Sequence, residues 1–191
     1  MPVQEIVFLK LFINLCKAIN SSLNLKEVLN SITENTVKTL NVKGCTIFLL
    51  DQVDKKLKTG SSSGLSEAYL NKGSVDSEKS IVETLRGKWV MVPDAANDDR
   101  IQYPKEAKKE GIVSILSVPM SVKKKIIGVL RIYTSESRIF TEVEKEFVSG
   151  LAEIGSIGIE NARMYTVLKA DHEKLIYDVN QWFDYGRTDT G

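Results

Sequence analysis

Ser114, Arg131 and Tyr133 fall within two apolar, β-branched runs of the sequence. A hydroxyl, a guanidinium and a phenol converging on an otherwise apolar surface are what selective capture of a small molecule requires, since apolar area gives affinity and a few polar groups give orientation. Residues for covalent or acid–base chemistry are scarce by comparison. The chain has one histidine, His172, and two cysteines, Cys16 and Cys45, with no metal-ligand or nucleophile–base spacing among them. Gly60, Gly64 and Gly73 lack the spacing and the Lys-Ser/Thr ending of a phosphate-binding loop. The expectation is binding without catalysis, with no metal and no other cofactor.

The elements that must position these residues follow from local pattern. The runs 112–122 and 126–134 flank Lys123-Lys124-Lys125 and predict a hairpin with its charged turn in water. With Lys123-Lys124 as a two-residue loop, Val122 pairs with Lys125. One face then carries Ser114, Leu116, Val118 and Met120 with Ile127, Val129, Arg131 and Tyr133. The opposite face carries Val113, Ile115 and Ser117 with Ile126, Gly128, Leu130 and Ile132, and Gly128 is expected to admit a helix there. Ser114, Leu116, Arg131 and Tyr133 are thereby expected to line a pocket under the loops. A slip of one residue would scramble this assignment. Before the hairpin, Pro104 opens and Gly111 stops a short helix. After it, Thr141 and Glu144 form a capping box that starts a long one.

Elsewhere Ile6, Leu9, Ile13, Cys16 and Ile19, with Phe12 beside them, recur at helical spacing over residues 1–22. Asn24, with Glu27, caps a second helix. Residues 45–50, 56–62 and 89–92 read as strands, and Ser66 and Ser80 as caps of short helices near Tyr69 and Leu85. The fold class is α+β, with about five antiparallel strands, helices from both chain ends on one face, and short helices and loops on the other. The expected organisation is an N-terminal helix 1–22, a domain 23–165, a helical extension 166–184 and a tail 185–191.

Between residues 94 and 144 the wording is specific: Asp94, Asp98-Asp99-Arg100, Gln102-Tyr103-Pro104, Glu110-Gly111-Ile112, Ser117-Val118-Pro119, Ile127-Gly128-Val129-Leu130 and Phe140-Thr141 occur in that order. This ordered set resembles the GAF domain, a small-molecule sensor module of bacterial and archaeal signalling proteins. The resemblance implies a sheet of five to six strands in the order 2-1-5-4-3, with the ligand on the loop side. Tyr69, Trp89, Asp94, Ile101 and Tyr103 are then candidates to close the cavity. Members that bind cyclic nucleotides carry an Asn-Lys pair, a Phe and an Asp-Glu pair where this chain has Thr134, Ser135, Phe140, Glu144 and Lys145, which argues against those ligands. No cysteine stands where bilin-binding members attach their chromophore. A branch that reduces free methionine sulfoxide uses pocket cysteines, to which Cys16 and Cys45 are poor matches.

The second functional signal is C-terminal. Phe147, Leu151, Ile154, Gly158, Asn161, Tyr165, Leu168, His172, Leu175, Val179 and Trp182 advance by alternating four and three, the spacing of a coiled-coil seam. The stripe Val148, Ala152, Gly155, Ile159 and Ala162 is expected to lie on the sheet. A homodimer is predicted through Leu151, Ile154, Tyr165, Leu168, His172, Leu175 and Val179. His172-Glu173 faintly echoes a kinase phosphoacceptor, but lacks the following Pro.

A formal charge of +1 excludes a dedicated nucleic-acid binder, and 42% hydrophobic residues over 191 suffice for a core. No apolar run reaches the ~18 residues of a membrane span. The reading is a cytoplasmic sensory module binding an unidentified small molecule, with a signalling partner or fused output domain. The alternative is a ligand-free dimerisation adaptor.

Overall fold

The structure, a computed structural model, describes residues 6, 8–10, 12–14, 16–17, 24–51, 53–54, 56–73 and 81–188, with side-chain environments up to 182. Strands β1 (Gly44–Leu50), β2 (Leu57–Ser63), β3 (Val90–Val92), β4 (Ser114–Val122) and β5 (Lys125–Thr134) form one antiparallel sheet. Its order is β2-β1-β5-β4-β3, as the resemblance implied. The helices are α1 (Leu25–Leu40), α2 (Glu67–Leu70), α3 (Val82–Leu85), α4 (Pro104–Glu110) and α5 (Glu142–Thr188).

Local chemistry sets the boundaries. Asn24 caps α1 by accepting from the Lys26 amide at 3.0 Å. Pro104 sits in the first turn of α4, and Gly111, at φ 74°, ends it in the left-handed region. Thr141 and Glu144 form the expected capping box: each backbone N–H donates to the other's side chain, at 2.9 and 3.2 Å. The Ser80 cap lies outside the described residues. Helix α5 runs on to Thr188, past the expected end at 184, since a single glycine, Gly186, costs a helix only about 1 kcal/mol.

The β4–β5 turn is a two-residue loop with Lys123 and Lys124 at φ 49° and 67°, and Val122 pairs with Lys125 as predicted. Two pairs further on the register shifts. Ser121 opposes Ile126 while Met120 opposes Gly128, so Ile127 is the extra residue of a bulge. Beyond it the whole of β4 is displaced by one residue, which exchanges its faces. Ser117, not Leu116, stands opposite Arg131, and Ser114 stands opposite Thr134. Leu116, Val118 and Met120 point into the helical core instead of the loop side, as does Ile127. Gly128 is needed for another reason than the one expected: an added Cβ would meet the Phe48 carbonyl oxygen of β1 at 2.4 Å, so the close approach is strand to strand.

The helical layer buries Val28, Leu29 and Ile32 of α1 and Val148, Ala152 and Ile159 of α5 on this sheet face. Gly155 marks where α5 crosses α1, since a Cβ there would stand 2.8 Å from Ile32 Cδ1. The small stripe of α5 therefore lies inward, as its composition indicated. In the N-terminal segment, Phe8 stacks on Phe147 with ring centroids 4.4 Å apart, and Phe12 fits against Gly150. Ile6, Leu9 and Ile13 face outward there, opposite to the expected stripe.

Helix α5 is about 70 Å long at 1.5 Å per residue, and it has two regimes. Phe147 and Leu151 are buried in the domain and Ile154 packs against the same core. Leu151, 2% exposed, is thus removed from the intermolecular seam by its own domain. From Met164 to Trp182 every side chain is exposed. No described helix is long and apolar enough to cross a membrane.

Candidate functional site

On the loop side of the sheet, β5 presents Val129, Arg131 and Tyr133. Thr46 of β1 and Ser117 of β4 flank Arg131 in register. Arg131 is 5% exposed, and its Nε donates to Ser117 Oγ at 3.1 Å, which orients the guanidinium over the sheet. Thr46 shares a hydrogen bond with Ser62 at 2.9 Å. Burial pushes the Tyr133 phenol above its ordinary pKa, while the Arg131 charge and a hydrogen bond with Thr46 pull against that.

The covering elements are held by caps. Ser66 Oγ accepts from the Tyr69 amide at 3.2 Å and starts α2, while Glu110 at the end of α4 accepts from Ser66 N and Oγ at 3.0 and 2.5 Å. This clasp brings Tyr69 edge-on to Tyr133 with centroids 5.9 Å apart. Ile101, Ile112, Ile115, Val90 and Val92 pack around the two rings. Lys72 Nζ donates to the Tyr69 carbonyl at 3.0 Å and lies 3.7 Å above the Tyr69 ring centroid and 5.9 Å from that of Tyr103. Gly73, at φ 125°, lets the Tyr103 hydroxyl approach, for a Cβ there would be 2.5 Å from it.

Burial, and next the charge of Arg131, lower the Lys72 pKa to about 8, with Glu110 and Glu106 acting in the opposite sense. The sign follows. A lysine whose pKa is lower folded than unfolded penalises the fold below about pH 8, and the penalty fades as pH rises toward the ordinary value of 10.5.

The site thus gathers Tyr69, Ile101, Arg131 and Tyr133 from the predicted residues, with Tyr103 at its margin. It does not gather the others. Trp89 lies on the helical side beside Glu146 and Gly150, because a three-residue strand alternates Val90 and Val92 toward the loops and Trp89 and Met91 away. Asp94 is exposed and closes its own turn, accepting from Ala96 N at 3.1 Å and Asn97 Nδ2 at 2.8 Å. Ser114 bonds Thr134 and the Glu136 carbonyl on the helical side, and Leu116 is core. Thr46, Lys72 and Ser117 are the residues sequence reasoning missed. The bulged register alone would have supplied Ser117.

Comparison with known proteins agrees with this architecture. Residues 22–160 match the GAF domain family model. A methyl sulfide methyltransferase-associated sensor from Methanosarcina acetivorans is 29% identical over 138 residues, covering 69% of this chain and 14% of that protein. The chain thus spans a small part of that sensor's length. The GAF domain of a phosphoenolpyruvate-protein phosphotransferase from Coxiella burnetii superposes with a TM-score of 0.76 at 21% identity, over 85% of this chain and 98% of that one. Free methionine-R-sulfoxide reductase from Neisseria meningitidis gives 0.72 at 16% identity, over 86% and 95%. These two likenesses concern the fold. With residues 22–160, well over half the chain, matching the model, the protein belongs to the GAF domain family.

Proposed function

We propose that this GAF domain is a non-catalytic sensory module that binds a small molecule on the Tyr69–Tyr133 face and signals through its terminal helices in a homodimer. The observation that carries the reading is the loop-side face of β5: Arg131, aimed by Ser117 and hydrogen-bonded with Tyr133, is a fixed polar group on an otherwise apolar and aromatic surface, the composition that a small-molecule site uses to orient a ligand. Likeness to a sensor adds to it. The relevant change is differential: a ligand that prefers one arrangement of residues 94–103 shifts the population of that arrangement and, through the sheet, the helices behind it. A cytoplasmic location and a fused or separate output partner complete the proposal.

Tyr165, Leu168, His172, Leu175 and Val179 supply the seam, with Ile154 at its domain end. They are exposed along one stripe of α5 beyond the sheet, and pairing with a second copy is the simplest way to cover it. Removing everything after Tyr165 is expected to turn a dimer into a monomer in light scattering. A truncated chain that stays dimeric would remove the seam from the account.

Sulfoxide reductase chemistry is disfavoured because Cys45 is fully buried on the helical face and burial drives its thiol far above the ordinary range, away from the thiolate. The adaptor reading has one observation in its favour: Tyr69, Tyr133, Ile101 and Ile115 already pack on one another. Mass spectrometry of gently purified, then denatured protein separates the two. Sensing predicts a stoichiometric small molecule, or one that can be restored by titration, and an adaptor releases none and accepts none.

A further inference from the structure

We propose that the groove between the β4–β5 turn and helix α5 receives Trp182 of a second copy of this chain, so that the two α5 helices run antiparallel and each domain holds the other's C-terminal end. This rests on the homodimer of the proposed function and gives it a contact and a direction.

Val122 and Ile127 of the hairpin and Met164, Val167 and Leu168 of α5 line an open groove of about 840 Å3. Its rim is charged, with Lys123, Lys125 and Arg163 against Glu160 and Asp171. None of these five makes an ion pair among the described residues, whereas Lys145 with Glu142 and Lys169 with Glu173 do so on the same helix. Lys123 also stands at φ 49°, in a turn position that Asn or Gly occupies with less strain. The fold thus keeps a strained lysine whose charge has no partner in the monomer, beside an apolar groove.

Met164 and Leu168 belong both to the groove and to an exposed apolar stripe that continues through Leu175, Val179 and Trp182. A body lying on the stripe therefore covers the groove as well. From Tyr165 to Trp182 the seam is about two and a half heptads, short of the three to four over which a coiled coil is sustained, so the groove supplies surface that the helix pair needs. Charge decides the direction. A parallel partner would bring its own Arg163 and Lys169 to the level of the hairpin lysines. An antiparallel partner brings the segment 171–182, in which Asp171, Glu173 and Asp178 outnumber Lys174. Met164 and Trp182 lie about 27 Å apart along one helix at 1.5 Å per residue. Setting Met164 against Trp182 of the partner subunit also sets Val167 against Val179 of the partner subunit, and brings Asp178 of the partner subunit to the level of Leu168 and the lysine turn. The contact is isologous, so the pair closes as a dimer with both grooves filled. Trp182 is 75% exposed, and an indole seated in an apolar pocket is the kind of anchor that dominates an interface.

The test combines light scattering over a dilution series with a spin-label distance, both on the full chain. The wild type should dimerise. Trp182→Ala, Lys125→Glu and Asp178→Lys should each weaken the dimer tenfold or more, and Lys125→Glu combined with Asp178→Lys should recover most of the loss. These side chains are exposed, so circular dichroism of the variants should match the wild type. Lys123→Asn should withstand more urea at concentrations where both proteins are monomers, yet dimerise less tightly, a split that a purely structural lysine would not give. For the distance, Ile157→Cys carries the label and Cys16→Ser removes the half-buried thiol, Cys45 being fully buried. Antiparallel helices aligned as above place the two labels about 48 Å apart along the axis, whereas parallel ones hold them within about 20 Å. The short separation, a Trp182→Ala dimer as tight as wild type, or a charge-swapped double variant no better than the single ones would overturn the proposal while the homodimer stands. A chain that is monomeric at every concentration would remove the homodimer and this contact together, and would leave the groove to another occupant.

Discussion

Gly128→Ala is expected to lower the free energy of unfolding by about 3 kcal/mol, the upper part of the usual cost of overpacking a core. The added Cβ would stand 2.4 Å from the Phe48 carbonyl oxygen and 3.4 Å from its carbon. Both are backbone atoms of β1, and β5 is hydrogen-bonded to β1 on one side and β4 on the other, so relief requires moving a central ladder. The control is Gly87→Ala. Gly87 has φ 86° and nothing within 4 Å of an added Cβ, so that change pays only for left-handed backbone, about 1–2 kcal/mol. Urea unfolding of the two variants compares the terms directly. If Gly128→Ala lost no more than Gly87→Ala, the strand contact would not be the constraint. Gly128 also adjoins the bulge that sets which face Ser117 occupies, so the same variant should disturb the surroundings of Arg131.

That bulge explains most of what was and was not legible in the sequence. Signals that act within a few residues were read correctly: the Thr141–Glu144 box, Pro104 and Gly111 around α4, and the Lys123-Lys124 turn. The register of β4 was not, because apolar residues populate both of its faces. Ile115 packs under the loops and Leu116, Val118 and Met120 under the helices, so no polar alternation marks the inward side. A one-residue bulge then costs little and shows no local signature, yet it replaces Ser114 and Leu116 by Ser117 in the site. Trp89 was misplaced for a related reason, since three residues of β3 are too few to reveal a period. Lys72 has no sequence signal at all. Its interest comes from the tertiary contact of α2 with β5. At Phe147, Leu151, Ile154 and Gly158 the heptad spacing serves the domain's own core, and only from Tyr165 on does the same spacing run along exposed helix.

The joint that ties α5 to the rest of the domain offers the second large effect. Glu144 is 5% exposed: Oε1 accepts from Arg138 Nη2 at 2.5 Å, and Oε2 accepts from Thr141 N and Oγ1 at 2.9 and 3.1 Å. Arg138 also donates from Nη1 to the Leu40 carbonyl at 2.8 Å, so one carboxylate links the start of α5 to the end of α1. Glu144→Ala should cost about 3 kcal/mol, because it removes the reciprocal cap and leaves a guanidinium that is mostly out of water without its partner. Arg138→Ala should cost less, since Thr141 continues to satisfy one carboxylate oxygen. The double variant should lose clearly less than the sum, by about 1–3 kcal/mol. Burial by itself would raise the Glu144 pKa, but the hydrogen bonds from Thr141 and Arg138 outweigh it and hold the carboxyl below its ordinary value of 4.5. A carboxyl lowered on folding contributes stability that is complete above that ordinary value and is lost as pH falls through the folded one. The gap between wild type and Glu144→Ala should therefore be widest at neutral pH and narrow in acid. A gap that is constant down to the acid limit, or a loss under 1 kcal/mol at pH 7, would mean that the pair does not hold the joint. Under the sensing reading, α1 and α5 are the helices that carry the signal out of the sheet, so a variant that loosens their joint should also uncouple any ligand-dependent change in hydrogen exchange along α5.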